Sequence, residues 1–342
     1  MRDVVVRVPN WLGDSVMARP FVAMLAERNG ADRIQVVAHP RVAEFWRAWP
    51  GLDVAALGRD AGGVTGMIQS ARSIRRRGPF RLGYLLSASF SSALLFALAG
   101  VRERIGFASD ARSWLLTEPV PRTPAAGTLH YSTEMLRLLG PGATTATRPL
   151  PVLDWPKSVR RRTRDRLRAL GLDPGSYAVV AVGAAGSSKR YAPGNWQHVV
   201  AQLRADGPVV LVGTHKERPL ADRVAAGITV GVHNLCGETS LAGLALLLET
   251  AAVFIGVDSG AAHLAAHVGC PVVAIFGPGD PVETRPLGPA VEVVRERLWC
   301  APCRSRRCLR ADVPSECMER ISPARVSAAA QRLVALVGTP AP

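Results

Sequence analysis

Three short loops gather residue types that do chemistry. "VPNWLGDSVMARP", Val8–Pro20, sets Asp14 and Ser15 beside Gly13 where a helical pattern begins. "GAAGSSKRYAPGNW", Gly183–Trp196, mixes small residues with Lys189 and Arg190. "GVDSGAAHLAAHVGCPVVAIFGPGDP", Gly256–Pro281, stops an apolar run at Asp258-Ser259-Gly260, starts a helix, and follows the next apolar run with a second loop of Gly and Pro. Small residues let backbone N–H groups approach an anion. The first amides of a helix lack intrahelical partners and sit at its positive end.

Each loop has an ordinary reading beside the chemical one. Asp14 is either a helix N-cap or a general base directed at a ligand between two domains. Lys189 and Arg190 either neutralise phosphate or sit in a solvated basic loop. The loop lacks the Gly-Lys-Ser/Thr ending of a Walker A motif and is no G-x-G-x-x-G. Lys189 is marked by scarcity, since Lys157, Lys189 and Lys216 are the only lysines. Asp258 either caps a helix or accepts hydrogen bonds from sugar hydroxyls, while the amides of Ser259 and Gly260 suit a pyrophosphate. His263 either faces the ligand or packs.

Cys300, Cys303, Cys308 and Cys317 form a C-x2-C-x4-C-x8-C series. Four close thiolates suit zinc or an iron–sulfur cluster, although the spacing departs from the usual paired C-x2-C pattern. Reduced thiols and disulfides are the other readings; without a secretion signal, disulfides are disfavoured. Cys236 and Cys270 read as core residues.

The elements that must position these loops are legible as apolar runs. Val4–Val8, Ile34–Ala38, Leu82–Ser87, Ala178–Gly183, Pro208–Gly213, Ala252–Val257 and Val272–Gly277 lack polar alternation, as parallel strands covered on both faces do. Helical patterns lie between them, at Val16–Arg28, Ser158–Leu170, Trp196–Arg204 and Ser240–Thr250. This alternation predicts doubly wound α/β sheets. A proline-rich stretch at Thr147–Pro156 marks a link between two Rossmann-like halves, and a C-terminal helix starts with Ser322 as N-cap and Pro323 in its first turn.

The chain has 342 residues, a hydrophobic fraction of 48% and a charged fraction of 20%, which fit a folded protein with a substantial core. Its net charge of +15 favours polyanions. Aromatics are 6% and no nucleic-acid motif occurs, so phosphorylated substrates and lipids are favoured over nucleic acid. The N-terminus does not read as a signal peptide. Leu82–Val101 has nearly the length of a membrane span, yet its serines and glycines divide it into a strand and a helix. The basic stretch Arg72–Arg81 is a solvated face or a contact for anionic lipid.

Taken together, "VPNWLGDSVMARP", "SFSSALLFALAGVRERIGF", "GAAGSSKRYAPGNW", "LCGETSLAGLALLLETAAVFIGVDSGAAHLAAHVGCPVVAIFGPGDP" and the cysteine-bearing tail resemble glycosyltransferase family 9, the ADP-heptose:lipopolysaccharide heptosyltransferases, and most closely the heptosyltransferase II type. Their order and spacing cover nearly the whole chain. The resemblance implies α/β, GT-B architecture: an acceptor-binding Rossmann-like domain over 1–152, a nucleotide-sugar-binding one over 153–321 facing it across a cleft, and a helix over 322–342 returning to the first domain. It implies an inverting transfer of heptose from ADP-heptose to the lipopolysaccharide inner core, or failing that another donor or acceptor, or a non-catalytic nucleotide-sugar or lipid-phosphate binding protein.

By motif position it implies Asp14 as catalytic base. Lys189, Asp258, Ser259, Gly260, His263 and Glu238 fall on the donor side, and Asn10, Gly13, Ser89, Arg75, Arg76 and Arg77 on the acceptor side. The family needs no metal for catalysis, which leaves Cys300, Cys303, Cys308 and Cys317 as a candidate structural metal site. Its members work in the cytoplasm against the inner face of the membrane. Tyr191 stands where relatives often carry Trp.

Overall fold

The computed structural model describes residues 3–58, 63–122, 127–143, 150–228 and 230–338. It divides into two compact units, Met1–Trp155 and Pro156–Pro342. The boundary lies slightly beyond the residue 152 expected from sequence. The proline-rich stretch is pinned to the first unit: Leu153 and Trp155 are buried, Asp154 N–H donates to Ala48 O over 2.7 Å, and Arg19 donates to Pro151 O. Residues 147–149 of that stretch lie outside the described residues.

The first unit runs β1 (Val4–Arg7), α1 (Leu12–Met17), α2 (Arg19–Asn29), β2 (Ile34–Ala38), α3 (Pro40–Arg47), β3 (Asp53–Ala56), α4 (Val64–Arg75), β4 (Leu82–Leu85), α5 (Phe90–Leu98), β5 (Glu103–Phe107), β6 (Glu118–Val120) and α6 (Tyr131–Leu136). Its strands form one sheet in the order β3-β2-β1-β4-β5-β6, and every pairing is parallel. The apolar run Leu82–Val101 therefore resolves into β4 and α5. Among the described residues no helix is long and apolar enough to cross a membrane.

The second unit repeats the plan with α7 (Lys157–Ala169), β7 (Ala178–Ala181), α8 (Pro193–Asp206), β8 (Val209–Val212), α9 (Arg218–Ala225), β9 (Val232–Asn234), α10 (Leu241–Glu249), β10 (Val253–Val257), α11 (Gly260–His267), β11 (Val272–Phe276), α12 (Pro281–Thr284), β12 (Val291–Arg295), α13 (Glu316–Glu319) and α14 (Pro323–Gly338). The parallel order is β12-β11-β10-β7-β8-β9. Each sheet reverses its winding direction once, between β1 and β4 and between β7 and β10. In open α/β sheets ligands bind beyond the carboxyl ends of strands at such reversals.

All seven strands read from sequence are strands here, because each is apolar on both faces. Strands β7, β10 and β11 bury nearly every residue under helices on either side.

One expectation is corrected. The C-terminal helix was expected to return to the first domain, whereas α14 packs on α8 and on β10, β11 and β12. Val326, Ala329, Ala330 and Leu333 recur at helical spacing and are buried in the second core with Val257 and Ile275. Residues 339–342 of the segment assigned to that helix lie outside the described residues.

Trp196 anchors this core. It is fully buried on α8 and packs edge-to-face with Tyr191 at 5.1 Å between ring centres. Removing so large a side chain leaves a cavity, so Trp196→Ala should destabilise the second domain by about 3–5 kcal/mol. Urea unfolding followed by circular dichroism measures this; an unchanged midpoint would contradict the packing described.

Candidate active site

The reversal of the second sheet brings two of the chemistry-bearing loops together. β7 and β10 pair with Ala181 opposite Gly256, so the loops leaving them start side by side. The first loop makes a single turn, Ser187–Lys189, that projects Lys189. The second ends β10 at Asp258. Lys189 Nζ donates to Asp258 Oδ2 at 2.5 Å and approaches Asp258 O at 3.5 Å. The carboxylate is 9% exposed and the ammonium side chain 32%, so the pair is half-sheltered with the lysine on the outside.

Ser259 is the N-cap of α11 but its side chain makes no capping bond. Its Oγ is buried without a hydrogen-bond partner. The helix thus presents uncapped amides and an orphan hydroxyl next to the Lys189–Asp258 pair. Gly260 is the first helical residue. His263 lies one turn further in, 4% exposed, with its N–H donating to Ser259 O at 3.4 Å, so its backbone belongs to the helix and its ring to the interior.

The third loop, Gly277–Asp280, follows β11. A Cβ on Gly279 would lie 2.5 Å from Asp258 Oδ2, so only glycine lets this backbone close on the carboxylate. Asp280 caps α12 by accepting from Val282 N–H at 3.0 Å. Tyr191, buried, donates its hydroxyl to Ile321 O at 2.7 Å and fixes the end of the Lys189 loop to the chain before α14. A phenol serves this purpose where an indole N–H would reach differently.

Glu238 is not brought to the pair. It is held by Arg166 and Arg218, which push its carboxyl below the usual range through the Arg166 and Arg218 hydrogen bonds. It lines a separate cavity of about 230 Å³ with Thr163, Thr239 and Ser240. The carboxylate that does meet the glycine-rich loop is Glu217, which sequence reading missed. A Cβ on Gly183 would overlap its Oε1, and its Oε2 accepts from Thr214 N–H at 2.6 Å. With Gly183, Ala184, Ser187 and Lys216 it lines a cavity of about 580 Å³. Its signal was a capping box at Thr214, "THKE", just after a buried strand.

In the first domain Asp14 is the third residue of α1, and Trp11 occupies the N-cap position, so the capping reading of Asp14 is corrected. Gly13 is buried inside the same helix instead of making a turn. Asp14 faces Tyr131, whose hydroxyl is pushed up to about 12 by burial first and by Asp14 second. Asn10 accepts from Arg7 Nη2 at 2.5 Å. Arg7 is itself buried, and burial brings it down to about 10.

β1 and β4 are paired with Arg7 opposite Leu85, which sets the Asp14 loop beside the Ser87–Ser92 turn. Ser89 is the N-cap of α5, accepting from Ser92 N–H at 3.3 Å. Buried Arg112, another residue sequence reading missed, fastens this turn by donating to Ser87 O at 2.5 Å and to Ser92 Oγ at 3.0 Å. Arg75 ends α4, Arg76 caps it and Arg77 follows, all three exposed; Arg77 lies 3.6 Å from Asp53.

The chain matches the family model for glycosyltransferase family 9 (heptosyltransferase) over residues 68–313, well over half its length. It belongs to glycosyltransferase family 9. Lipopolysaccharide heptosyltransferase 2 of Escherichia coli strain K12 is 26% identical over 307 residues, covering 84% of this chain and 86% of that protein. The structure of E. coli ADP-heptose lipopolysaccharide heptosyltransferase II aligns with a TM-score of 0.80 at 23% identity over 99% of this chain and all of that one. A family 9 glycosyltransferase from Veillonella parvula aligns at 0.86 with 19% identity over 97% of both chains. The family 9 chain is therefore a transferase with the GT-B fold class, two parallel-sheet α/β domains.

In a family 9 enzyme the second-domain cluster can bind an anion without a metal. An ammonium has three donors, and Asp258 uses only part of them. The tail cysteines do not gather into a ligand set: among the described residues no group of three or more His, Cys, Asp or Glu is placed to hold a metal. Cys300, Cys303 and Cys308 precede α13 and Cys317 lies within it. Their sulfurs lie near enough for the other three to act on Cys317, which burial pushes up to about 11, but Cys317 is buried against Gly277 while Cys303 is exposed.

Two outcomes follow from this geometry. Gly279→Ala forces Asp258 away from Lys189, so glycosyl transfer should fall on the order of 10–100-fold with little change in melting temperature; transfer at the parent rate would show that the close approach is idle. Hydrogen bonds from the backbone at Ser315 and Arg310 hold the Cys308 thiol below its usual range, whereas burial raises Cys236 and Cys270 to about 12. A lowered value means more thiolate near pH 7, so iodoacetamide should label Cys308 well before Cys317, Cys236 and Cys270, as read by peptide mass spectrometry.

Proposed function

We propose that this enzyme moves heptose from ADP-heptose to a sugar of the lipopolysaccharide inner core, with inversion at the anomeric carbon. One observation carries the reading: a half-sheltered Lys189–Asp258 pair stands against an uncapped helix N-terminus whose Ser259 hydroxyl is buried and unpartnered. The diphosphate lies over the amides of Ser259 and Gly260, with Lys189 on one side, and Asp258 accepts hydrogen bonds from the sugar.

Asp14 removes the proton from the acceptor hydroxyl. That oxygen attacks the anomeric carbon from the face opposite the departing ADP, through a transition state with oxocarbenium character. Negative charge grows on ADP as the bond breaks. Lys189 and the α11 amides hold that charge more strongly than they hold the intact donor, so their attraction lowers the barrier as well as binding substrate. His263 backs the turn from the interior. The acceptor is met by the loops of Asn10, Gly13 and Ser89.

The reaction takes place on the cytoplasmic face of the inner membrane. The exposed Arg75–Arg77 run supplies a basic contact for anionic headgroups or core phosphates. Nucleic acid is not a partner in this reading.

The test uses purified protein, ADP-heptose and a defined core acceptor, with product identified by mass. Asp14→Asn should lower turnover about 10²–10⁴-fold while ADP-heptose binding measured by calorimetry is preserved. Lys189→Ala should cost roughly 10²–10³-fold and also weaken the donor. Transfer by the Asp14 variant at the parent rate would remove it as the base. Tight donor binding by the parent with no transfer to any acceptor would instead support a binding protein, and a panel of other nucleotide sugars would reveal a different donor.

A further inference from the structure

The cysteine-bearing tail was left without a task by the reading above, yet it touches both loops that hold the Lys189–Asp258 pair. Arg304, at its centre, donates from Nη2 to Asp280 Oδ2 at 2.6 Å and from Nε to Glu283 Oε2 at 2.8 Å. Its own backbone N–H donates to Pro278 O at 2.8 Å. Asp280 is only 8% exposed, so its charge depends on this partner. Two ties thus run from one residue to the loop after β11, whose Gly279 lies against Asp258, and a third runs to α12 just beyond it.

The next two residues reach the other loop. Ser188 Oγ donates to Ser305 O at 2.6 Å, and Ser188 N–H and Ser187 Oγ both reach Arg306 O at 3.4 Å. Gly186 permits this approach, since a Cβ there would lie 3.2 Å from Arg306 O. Ser187 and Ser188 are the turn that projects Lys189. Arg304 itself has φ of 56°, left-handed backbone that a residue with a side chain adopts only when its surroundings impose it. That conformation turns the chain so that consecutive residues face two different loops.

We propose that Arg304 is a positioning residue for the donor site: it straps the loop after β11 to the loop bearing Lys189, and so fixes the distance between Lys189 and Asp258. The role in turnover rests on the donor reading given above; the strapping itself does not. Arginine suits the task because its planar fork serves two carboxylates at once, which an ammonium cannot do in the same geometry.

The experiment compares the full-length parent with Arg304→Ala and Arg304→Lys. Hydrogen–deuterium exchange without ligand should show amides of 186–190 and 278–283 exchanging about tenfold faster or more in Arg304→Ala, with β7, β10 and β11 unchanged. In kinetics the KM for ADP-heptose should rise about tenfold while the acceptor KM stays at the parent value, and Arg304→Lys should recover part of the loss. Unchanged exchange in both loops overturns the proposal, as does faster exchange with an unaltered donor KM. If Arg304→Ala fails to fold, Asp280→Asn and Glu283→Gln cut the same ties from the other side and carry the same readouts. If the parent does not use ADP-heptose, the donor reading fails; the exchange result still decides the strap, and the KM arm is read with whichever nucleotide sugar the parent accepts.

Discussion

The site depends on one ion pair that no single loop could make. Lys189 leaves β7 and Asp258 leaves β10, residues far apart in sequence whose strands are neighbours only because the sheet reverses its winding between them. A one-residue slip of that register would turn every side chain of the strand to the other face of the sheet. Register is secured by burial, since β7 and β10 are almost wholly covered and neither can slide without exposing valine and isoleucine. The electrostatic contact therefore rests on hydrophobic packing, which fixes strand positions far more strongly than a half-exposed ion pair could.

The fold was legible where chemistry and burial coincide. Strands covered on both faces declare themselves as apolar runs, and all seven found that way are real. The five that escaped are β3, β5, β6, β9 and β12. They lie toward the margins of their sheets, are short or partly exposed, and carry residues such as Asp53, Glu118, His233 and Glu292. Without a continuous apolar run or clean alternation, such a strand looks like loop, and its pairing partner is what makes it a strand. The fate of the C-terminal helix was hidden for a similar reason: amphipathic spacing shows that a helix has an inner face but not which core receives it.

Within the second-domain cluster, the residues legible in sequence were those marked by their place at strand ends and helix starts or by rarity. Asp258-Ser259-Gly260 marks a strand end and a helix start together, and Lys189 stands out because lysine is rare in this chain. Glu238 was placed on the donor side by motif position, and the structure pairs it with Arg166 and Arg218, from α7 and the start of α9. Glu217 and Arg304 went unseen because each acts across loops, and the glycines that make room for them, Gly183 and Gly186, look in sequence like ordinary loop glycines.

The contrast between the two cationic side chains also gives the net charge of +15 a narrower meaning. Arg7, Arg19 and Arg112 are buried; Arg19 lies over the Trp49 ring at 4.6 Å and is brought down by burial to about 9, and Arg112 bonds carbonyl oxygens. Arg166, Arg218 and Arg304 are committed to carboxylates. These six arginines are thus structural, buried in the fold or paired with its carboxylates. At the Lys189 turn the chain uses an ammonium instead. A point charge with rotatable donors can hold Asp258 while turning toward a second anion, and it can follow that anion as charge builds on it. Choosing lysine in a chain that otherwise uses arginine is consistent with a position whose partner changes during the reaction, whereas the arginines sit where the partner must not change.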